Sequence, residues 1–354
     1  MAHQGRLTAG KLCCMKKALI IGISGQDGAY LSKLLLGKGY LVYGTSRDVG
    51  CASFRALRLL GAFEKVHLHS MNPRDSQGVS RTLARFQPDE VYNLAGQSSV
   101  AMSFDQPAET IESITLGTLH LLQAARSLSV PMRIFNAGSV ECFGETERAA
   151  TEETPFKPLN PYGVGKAAAH WQIASYRQNY GLFACTGILS NHESPVRSEQ
   201  FVTKKTVAAA CRIARGSKEV LSLDNLDVAR DWGWAEEYAR AMWLMLQQPQ
   251  PDDYVIATGS TYVLRELVRH AFRLLGLDWA SHTRVRSEFV RASGALRLKL
   301  DPSKAFRQIG WQAQITMPEV IRRMIVAEMS GSSPTLKLGA LESESARATN
   351  RNWS

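Results

Sequence analysis

The chain has 354 residues, 45% hydrophobic and 21% charged, an ordinary composition for a globular protein with ample core. That excludes a wholly disordered chain, a fibrous repeat and a disulfide-stapled miniprotein. The net charge of +10, from 42 basic and 32 acidic residues, favours an anionic partner. No arginine-rich block or aromatic-interleaved basic stripe is present, so nucleic acid is not expected, whereas a nucleotide cofactor and a nucleotide-linked substrate meet the same charge. No apolar run reaches the ~18 residues of a membrane span, and the opening Met1–Cys14 lacks the apolar stretch of a signal peptide. The six cysteines lack metal-ligand spacing. We expect a cytoplasmic protein with reduced thiols, no membrane association and no metal.

In chain order, Ala18–Ile23 reads as a buried strand and Ala29–Leu36 as a helix ended by Gly37 and Gly39. Leu41–Thr45, Val66–His69, Val91–Leu94 and Arg133–Ala137 read as further strands, with helices near Phe54–Leu60, Gln77–Phe86 and Pro107–Ser127. This alternation predicts an α/β fold, a Rossmann-type doubly wound parallel sheet. Beyond it a long helix is expected over Tyr162–Tyr180, a strand at Ala184–Leu189, and helices at Val202–Arg215, Trp234–Leu246, Leu264–Leu275 and Pro318–Met329. Ser190–Gln200 and Asn225–Gly233 read as polar loops walling a substrate site. The expected organisation is a mobile tail over 1–15 and a mainly dinucleotide-binding domain over 16–190. A smaller C-terminal substrate-binding lobe follows over 191–330, with elements returning to the first domain, and then a second tail over 331–354.

The first strand leads into Gly22-Ile23-Ser24-Gly25-Gln26-Asp27-Gly28 and then a helix. Glycines there allow a tight turn and a close backbone approach, with a pyrophosphate on the helix N-terminus. At the end of the second strand an acidic residue favours NAD and an arginine favours NADP. Arg47 and Asp48 stand side by side, so NADP is the expectation and NAD stays open.

Tyr162 and Lys166 lie four apart on one helix face, where an ammonium favours the phenolate and makes Tyr162 a usable base. The strand Arg133–Ala137 delivers Ser139 and Glu141 to the sheet's carboxyl edge, where open α/β folds bind ligands. If the strand stays extended, both side chains share one side.

With these residues in place, the chain resembles an extended short-chain dehydrogenase/reductase, and most closely the GDP-mannose 4,6-dehydratase family. The resemblance runs from about Lys16 to Met329. It rests on Gly25-Gln26-Asp27-Gly28, Val91-Tyr92-Asn93-Leu94-Ala95, Asn191-His192-Glu193-Ser194-Pro195, Phe201-Val202-Thr203-Lys204-Lys205 and Arg230-Asp231-Trp232-Gly233. It implies a redox-neutral loss of water from a nucleotide-sugar, with Tyr162 the base at the 4-hydroxyl, Glu141 the base at C5, and Ser139 and Lys166 assisting. It also implies cofactor contacts from Leu94, Ala95, Gln97, Ser98, His192 and Arg197, and nucleotide-sugar contacts from Asn191, Lys204, Arg230 and Arg291. A homodimer or homotetramer is implied as well. The chain departs from the family at Ser70-Met71, at Asp48 in place of a second arginine, at Ser190 in place of an aromatic residue, and at Arg291-Ala292-Ser293-Gly294, which lacks the family's carboxylate. A 4-reductase or 4-epimerase, which needs no base at C5, and a non-catalytic nucleotide- or RNA-binding relative are the competing readings.

Overall fold

A computed structural model describes residues 15–128, 130–285 and 297–331. The chain divides into two compact units. The first comprises the described part of Met1–Cys142 together with Pro158–Leu189 and Ala239–Tyr254, and the second Phe143–Lys157, Ser190–Tyr238 and the described part of Val255–Ser354.

The first unit is built on strands β1 (Lys17–Ile21), β2 (Leu41–Ser46), β3 (His67–Ser70), β4 (Glu90–Asn93), β5 (Arg133–Ala137) and β6 (Phe183–Leu189). They lie side by side in the order β3-β2-β1-β4-β5-β6, all parallel. This is the strand order of a doubly wound dinucleotide-binding sheet, as the sequence predicts. A seventh strand, β10 (Tyr254–Ile256), completes the sheet beyond β6. Ala18, Leu19, Ile20 and Ile21 are at most 2% exposed, so both faces of β1 are covered. One covering layer packs Leu19, Ile21, Val91 and Ile134 of the strands against Val79 and Leu83 of helix Ser76–Phe86 and Leu121, Leu122 and Ala125 of helix Gly117–Leu128. Each such side chain contributes about 1.5–3 kcal/mol when fully buried.

The single helix expected over Pro107–Ser127 is instead three segments. A π-helical turn at Glu112–Leu116 separates Pro107–Ile111 from Gly117–Leu128. Helix Pro161–Tyr180 starts on Pro161 with Asn160 as its cap and ends at Gly181, whose φ of 66° only glycine adopts readily. Its Arg177 grips Asp253 through two bonds of 2.9 and 2.6 Å, and Asp253 also accepts the Thr186 N–H.

The second unit holds a small sheet in the order β11-β9-β7, made of β7 (Asn191–Glu193), β9 (Ala229–Trp234) and β11 (Thr261–Val263). β8 (Leu221–Leu223) pairs with β12 (Thr283–Val285), and β10 (Tyr254–Ile256) is the seventh strand of the large sheet. Trp232 and Trp234 pack with Val207, Leu267, Val268, Val320, Ile321 and Met324 from three helices. The expected polar loop Asn225–Gly233 is therefore corrected: Ala229–Trp234 is a strand buried at every residue.

Gly28 in helix Gln26–Gly37 packs on the turn before it, where an added Cβ would lie 2.6 Å from Ile23 Cα and 2.7 Å from its carbonyl. Backbone cannot yield as a side-chain tip can. Gly28→Ala is expected to lower stability by about 1–3 kcal/mol in urea unfolding. An unchanged midpoint would contradict the close packing.

Candidate active site

The glycine turn begins where β1 ends. Gly22 has a φ of +89°, and a Cβ there would lie 3.0 Å from the backbone of Leu94 and Ala95. The Gly22 and Ile23 N–H groups donate to Thr45 O at 3.0 and 3.1 Å, fixing the turn against β2. Gly25 caps helix Gln26–Gly37 without any side-chain bond, and a Cβ there would meet nothing nearer than Gly22 O at 3.7 Å. An open glycine cap on a 12-residue helix is a cradle into which a pyrophosphate can bring its oxygens. The residues present fit a dinucleotide. Gln26 is buried and its amide donates to Asp27 Oδ1 at 3.1 Å.

Leu94 and Ala95 continue β4 and are half-buried beneath this turn. Gln97 folds back on Ser99, with its amide donating to Ser99 O at 2.7 Å and its oxygen accepting the Ser99 N–H. Ser98 is exposed beside it. Arg47, just past β2, is exposed and pairs with Glu109 at 3.5 Å. Asp48 is occupied by its own loop, accepting the Gly50 N–H at 2.8 Å.

The four expected catalytic residues lie together in the first unit. β5 stops at Ala137, and Val140–Cys142 turns as a 3-10 helix, so the extended course expected through Glu141 is corrected. The turn nevertheless keeps Ser139 and Glu141 adjacent: buried Ser139 Oγ accepts the Glu141 N–H at 3.2 Å. The Glu141 carboxylate takes a bond from Asn160 Nδ2 at 2.9 Å, while Asn160 Oδ1 accepts the Gly163 N–H at 2.7 Å and caps the long helix. Asn160 is the site residue that sequence reasoning missed. Its signal was an Asn immediately before the helix-opening Pro161.

Tyr162 is half-buried one turn above Lys166, whose ammonium lies 5.7 Å from the phenol ring centroid. Lys166 Nζ donates to Ala137 O, the last carbonyl of β5, at 2.6 Å. Burial pushes Lys166 down to about 8, with Cys142 and Asp27 opposing. Burial likewise pushes the neighbouring Cys142 thiol up to about 12, which keeps it neutral.

In the second unit, two blocks singled out from the sequence pair in parallel, with Asn191 opposite Trp232 and His192 opposite Gly233. His192 is buried, its Nδ1 lies 2.7 Å from Ser190 O, and its ring stacks on Tyr238 with centroids 4.4 Å apart. Ser190 Oγ, where the family carries an aromatic residue, sits 2.6 Å from the Tyr238 hydroxyl and donates to Asp231 Oδ1 at 3.0 Å. Asp231 also accepts from Thr258 N, Thr258 Oγ1 and Ser260 N, and burial raises its pKa from the ordinary aspartate value despite these bonds. Arg230 is buried and donates to Ala229 O at 3.0 Å. Arg197 pairs with buried Glu193 at 3.3 Å and lies over the Phe201 ring. Lys204 is ion-paired to Glu328 at 2.5 Å, well inside the unit. Arg291 lies outside the described residues. Among the described residues no cluster of metal-ligating side chains occurs.

Sheet order, glycine turn and the Tyr-Lys helix are the features of the short-chain dehydrogenase/reductase fold. The sequence profile of the family described as GDP-mannose 4,6 dehydratase matches residues 19–324. GDP-mannose 4,6 dehydratase 1 of Arabidopsis thaliana is 42% identical over 322 residues, covering 88% of this chain and 89% of its own. GDP-mannose 4,6-dehydratase of Yersinia enterocolitica is 39% identical over 352 residues, covering 89% and 94%. Among solved structures, the UDP-glucose 4-epimerase of Thermus thermophilus in complex with NAD superposes with a TM-score of 0.78. Its identity is 24%, and the match covers 89% of this chain and 99% of that one. The chain belongs to the GDP-mannose 4,6-dehydratase family.

The Lys166 site has a measurable signature. The folded chain releases this proton near pH 8, whereas the unfolded chain keeps it to its ordinary 10.5. Between these values the unfolded state binds more protons, so stability rises with pH. Lys166→Met cannot titrate. The stability of the wild type relative to this variant should rise between pH 8 and 10 in urea unfolding, and parallel profiles would contradict the burial assigned to the ammonium.

Proposed function

We propose that the chain converts GDP-mannose to GDP-4-keto-6-deoxymannose and water, using Ser139, Glu141, Tyr162 and Lys166. The observation that carries this reading is the Glu141 carboxylate, fixed by Asn160 beside Ser139 at the head of the Tyr162 helix. A 4-epimerase or 4-reductase needs the serine, tyrosine and lysine but no carboxylate at C5.

Tyr162, with the Lys166 ammonium beneath it, takes the proton of the sugar 4-hydroxyl, and Ser139 orients that oxygen by a hydrogen bond. A nicotinamide, when bound, would supply the hydride chemistry between C4 and C6. Once C4 is a ketone the C5 proton is acidic, and Glu141 removes it. Glu141 then protonates the leaving 6-hydroxyl, which departs as water, and C5 finally takes a proton from solvent while Tyr162 releases the proton of the 4-hydroxyl to solvent, so that both bases end as they began. Gly22, Gly25, Gln26, Asp27 and Gly28 would hold the pyrophosphate, Leu94, Ala95, Gln97 and Ser98 the nicotinamide ribose, and His192 and Arg197 further cofactor contacts. Asn191, Lys204, Arg230 and Arg291 are assigned to the nucleotide-sugar. For Lys204 this requires the Glu328 pair to open.

NADP is the proposed cofactor, on the strength of Arg47 at the end of β2. A homodimer or homotetramer in the cytoplasm is the proposed form. Exposed Met102, Phe104, Ile111, Leu116, Val164 and Trp171, clustered on two stretches of the first unit, support association. Among the described residues no helix is long and apolar enough to cross a membrane.

Tyr162→Phe should reduce turnover by about 100- to 10,000-fold while cofactor and GDP-mannose still bind. Glu141→Gln keeps the size of the side chain but cannot accept the C5 proton, so it should accumulate reduced cofactor with little 6-deoxy product. Elimination of water by this variant at the wild-type rate would remove Glu141 from the mechanism.

A further inference from the structure

We propose that Arg74 is the second arginine of the 2′-phosphate site, and that the Glu109 carboxylate occupies the position between Arg47 and Arg74 that this phosphate takes on binding. The inference rests on the NADP reading and deepens it, because the sequence places Asp48 where the family has its second arginine.

β2 and β3 pair in parallel to their last residues, Ser46 opposite Ser70, and Met71 N–H donates to Ser46 O at 2.8 Å. The chain leaving β2 at Arg47 and the chain leaving β3 through Asn72-Pro73-Arg74 therefore depart from the same edge of the sheet. In this fold the end of the second strand is where the adenosine ribose is read. The turn at 72–74 is fixed: Asn72 Oδ1 accepts the Arg74 N–H at 3.1 Å, and His120 Nδ1 lies 3.0 Å from Pro73 O.

The segment carrying Glu109 is held over this edge. Ile114, in the π-helical turn, sits against Gly96, and Gly117 sits against Pro73. Helix Pro107–Ile111 and the turn each bring one carboxylate to Arg74, whose Nη1 lies 2.6 Å from Glu109 Oε2 and 3.0 Å from Glu112 Oε2. Arg47 Nη1 lies 3.5 Å from the other Glu109 oxygen. Two guanidinium groups from different loops thus converge on one oxyanion, the arrangement by which arginines hold phosphate. Pairs this exposed are weak, and a phosphate with up to two charges can displace a single carboxylate. Asp48 does not compete for Arg74, because its carboxylate is bonded to Gly50 N–H and the Cys51 thiol within its own loop.

The test is titration of the full chain with NADP and separately with NAD, followed by cofactor fluorescence or calorimetry, for the wild type, Arg74→Gln and Glu109→Gln. Loss of one charge-assisted contact predicts that Arg74→Gln weakens NADP about ten-fold or more. NAD affinity should stay within a factor of two, which also shows that the variant is folded. Glu109→Gln removes the competing anion and should tighten NADP several-fold without changing NAD. A wild type that prefers NADP, with Arg74→Gln weakening both cofactors alike or neither, overturns the role of Arg74 and leaves the NADP reading standing. A wild type that prefers NAD overturns the NADP reading and this inference with it.

Discussion

The first unit's site depends on how closely the start of helix Pro161–Tyr180 approaches the loop after β5. At Gly163 a Cβ would lie 2.6 Å from Glu141 O, so any other residue would push the helix off that loop. The contact allows one side chain, Asn160, to cap the helix with its oxygen and hold the Glu141 carboxylate with its nitrogen. It also sets Lys166 one turn further along, beneath the last carbonyl of β5. Backbone proximity thus brings the carboxylate, hydroxyl and ammonium to one end of the helix.

Burial is used differently in the two units. In the first, the Lys166 ammonium is buried and donates to the last carbonyl of β5, and burial lowers its pKa to about 8. In the second, Asp231 is buried among four donors that organise Ser190, Thr258 and Ser260, and through Ser190 the hydroxyl of Tyr238, on which His192 stacks. A buried carboxylate with its lone pairs taken rigidifies what it touches. The Gly233 position is part of this arrangement, since a Cβ there would lie 2.4 Å from the Tyr238 ring.

The sheet was legible in the sequence because each of its central strands is a short apolar run with glycine or proline nearby, as at Ala18–Ile21 and Arg133–Ala137. Helix starts were legible where a proline or glycine marked them. Ala229–Trp234 was not, because Arg230 and Asp231 make a strand look like a loop until their internal partners are known. The 3-10 turn at Val140–Cys142 and the π turn at Glu112–Leu116 were invisible for another reason: both follow from tertiary contacts, with Gly163 and Gly96 respectively, rather than from local preference. Tyr162, Lys166, Ser139 and Glu141 were legible by spacing, and the fold brings all four into one unit. Arg74 was not, since its connection to Arg47 runs through a carboxylate distant in sequence.

The central claim is that the hydrogen removed from C4 returns to C6 of the same molecule while C5 exchanges with solvent. Turnover of GDP-mannose deuterated at C4, followed by NMR and mass analysis of the product, tests this most directly. The account predicts deuterium at C6 with no loss of label to added unlabelled cofactor and, when unlabelled GDP-mannose is turned over in deuterated water, deuterium at C5. Deuterium retained at C4, or lost from the product altogether, would contradict it.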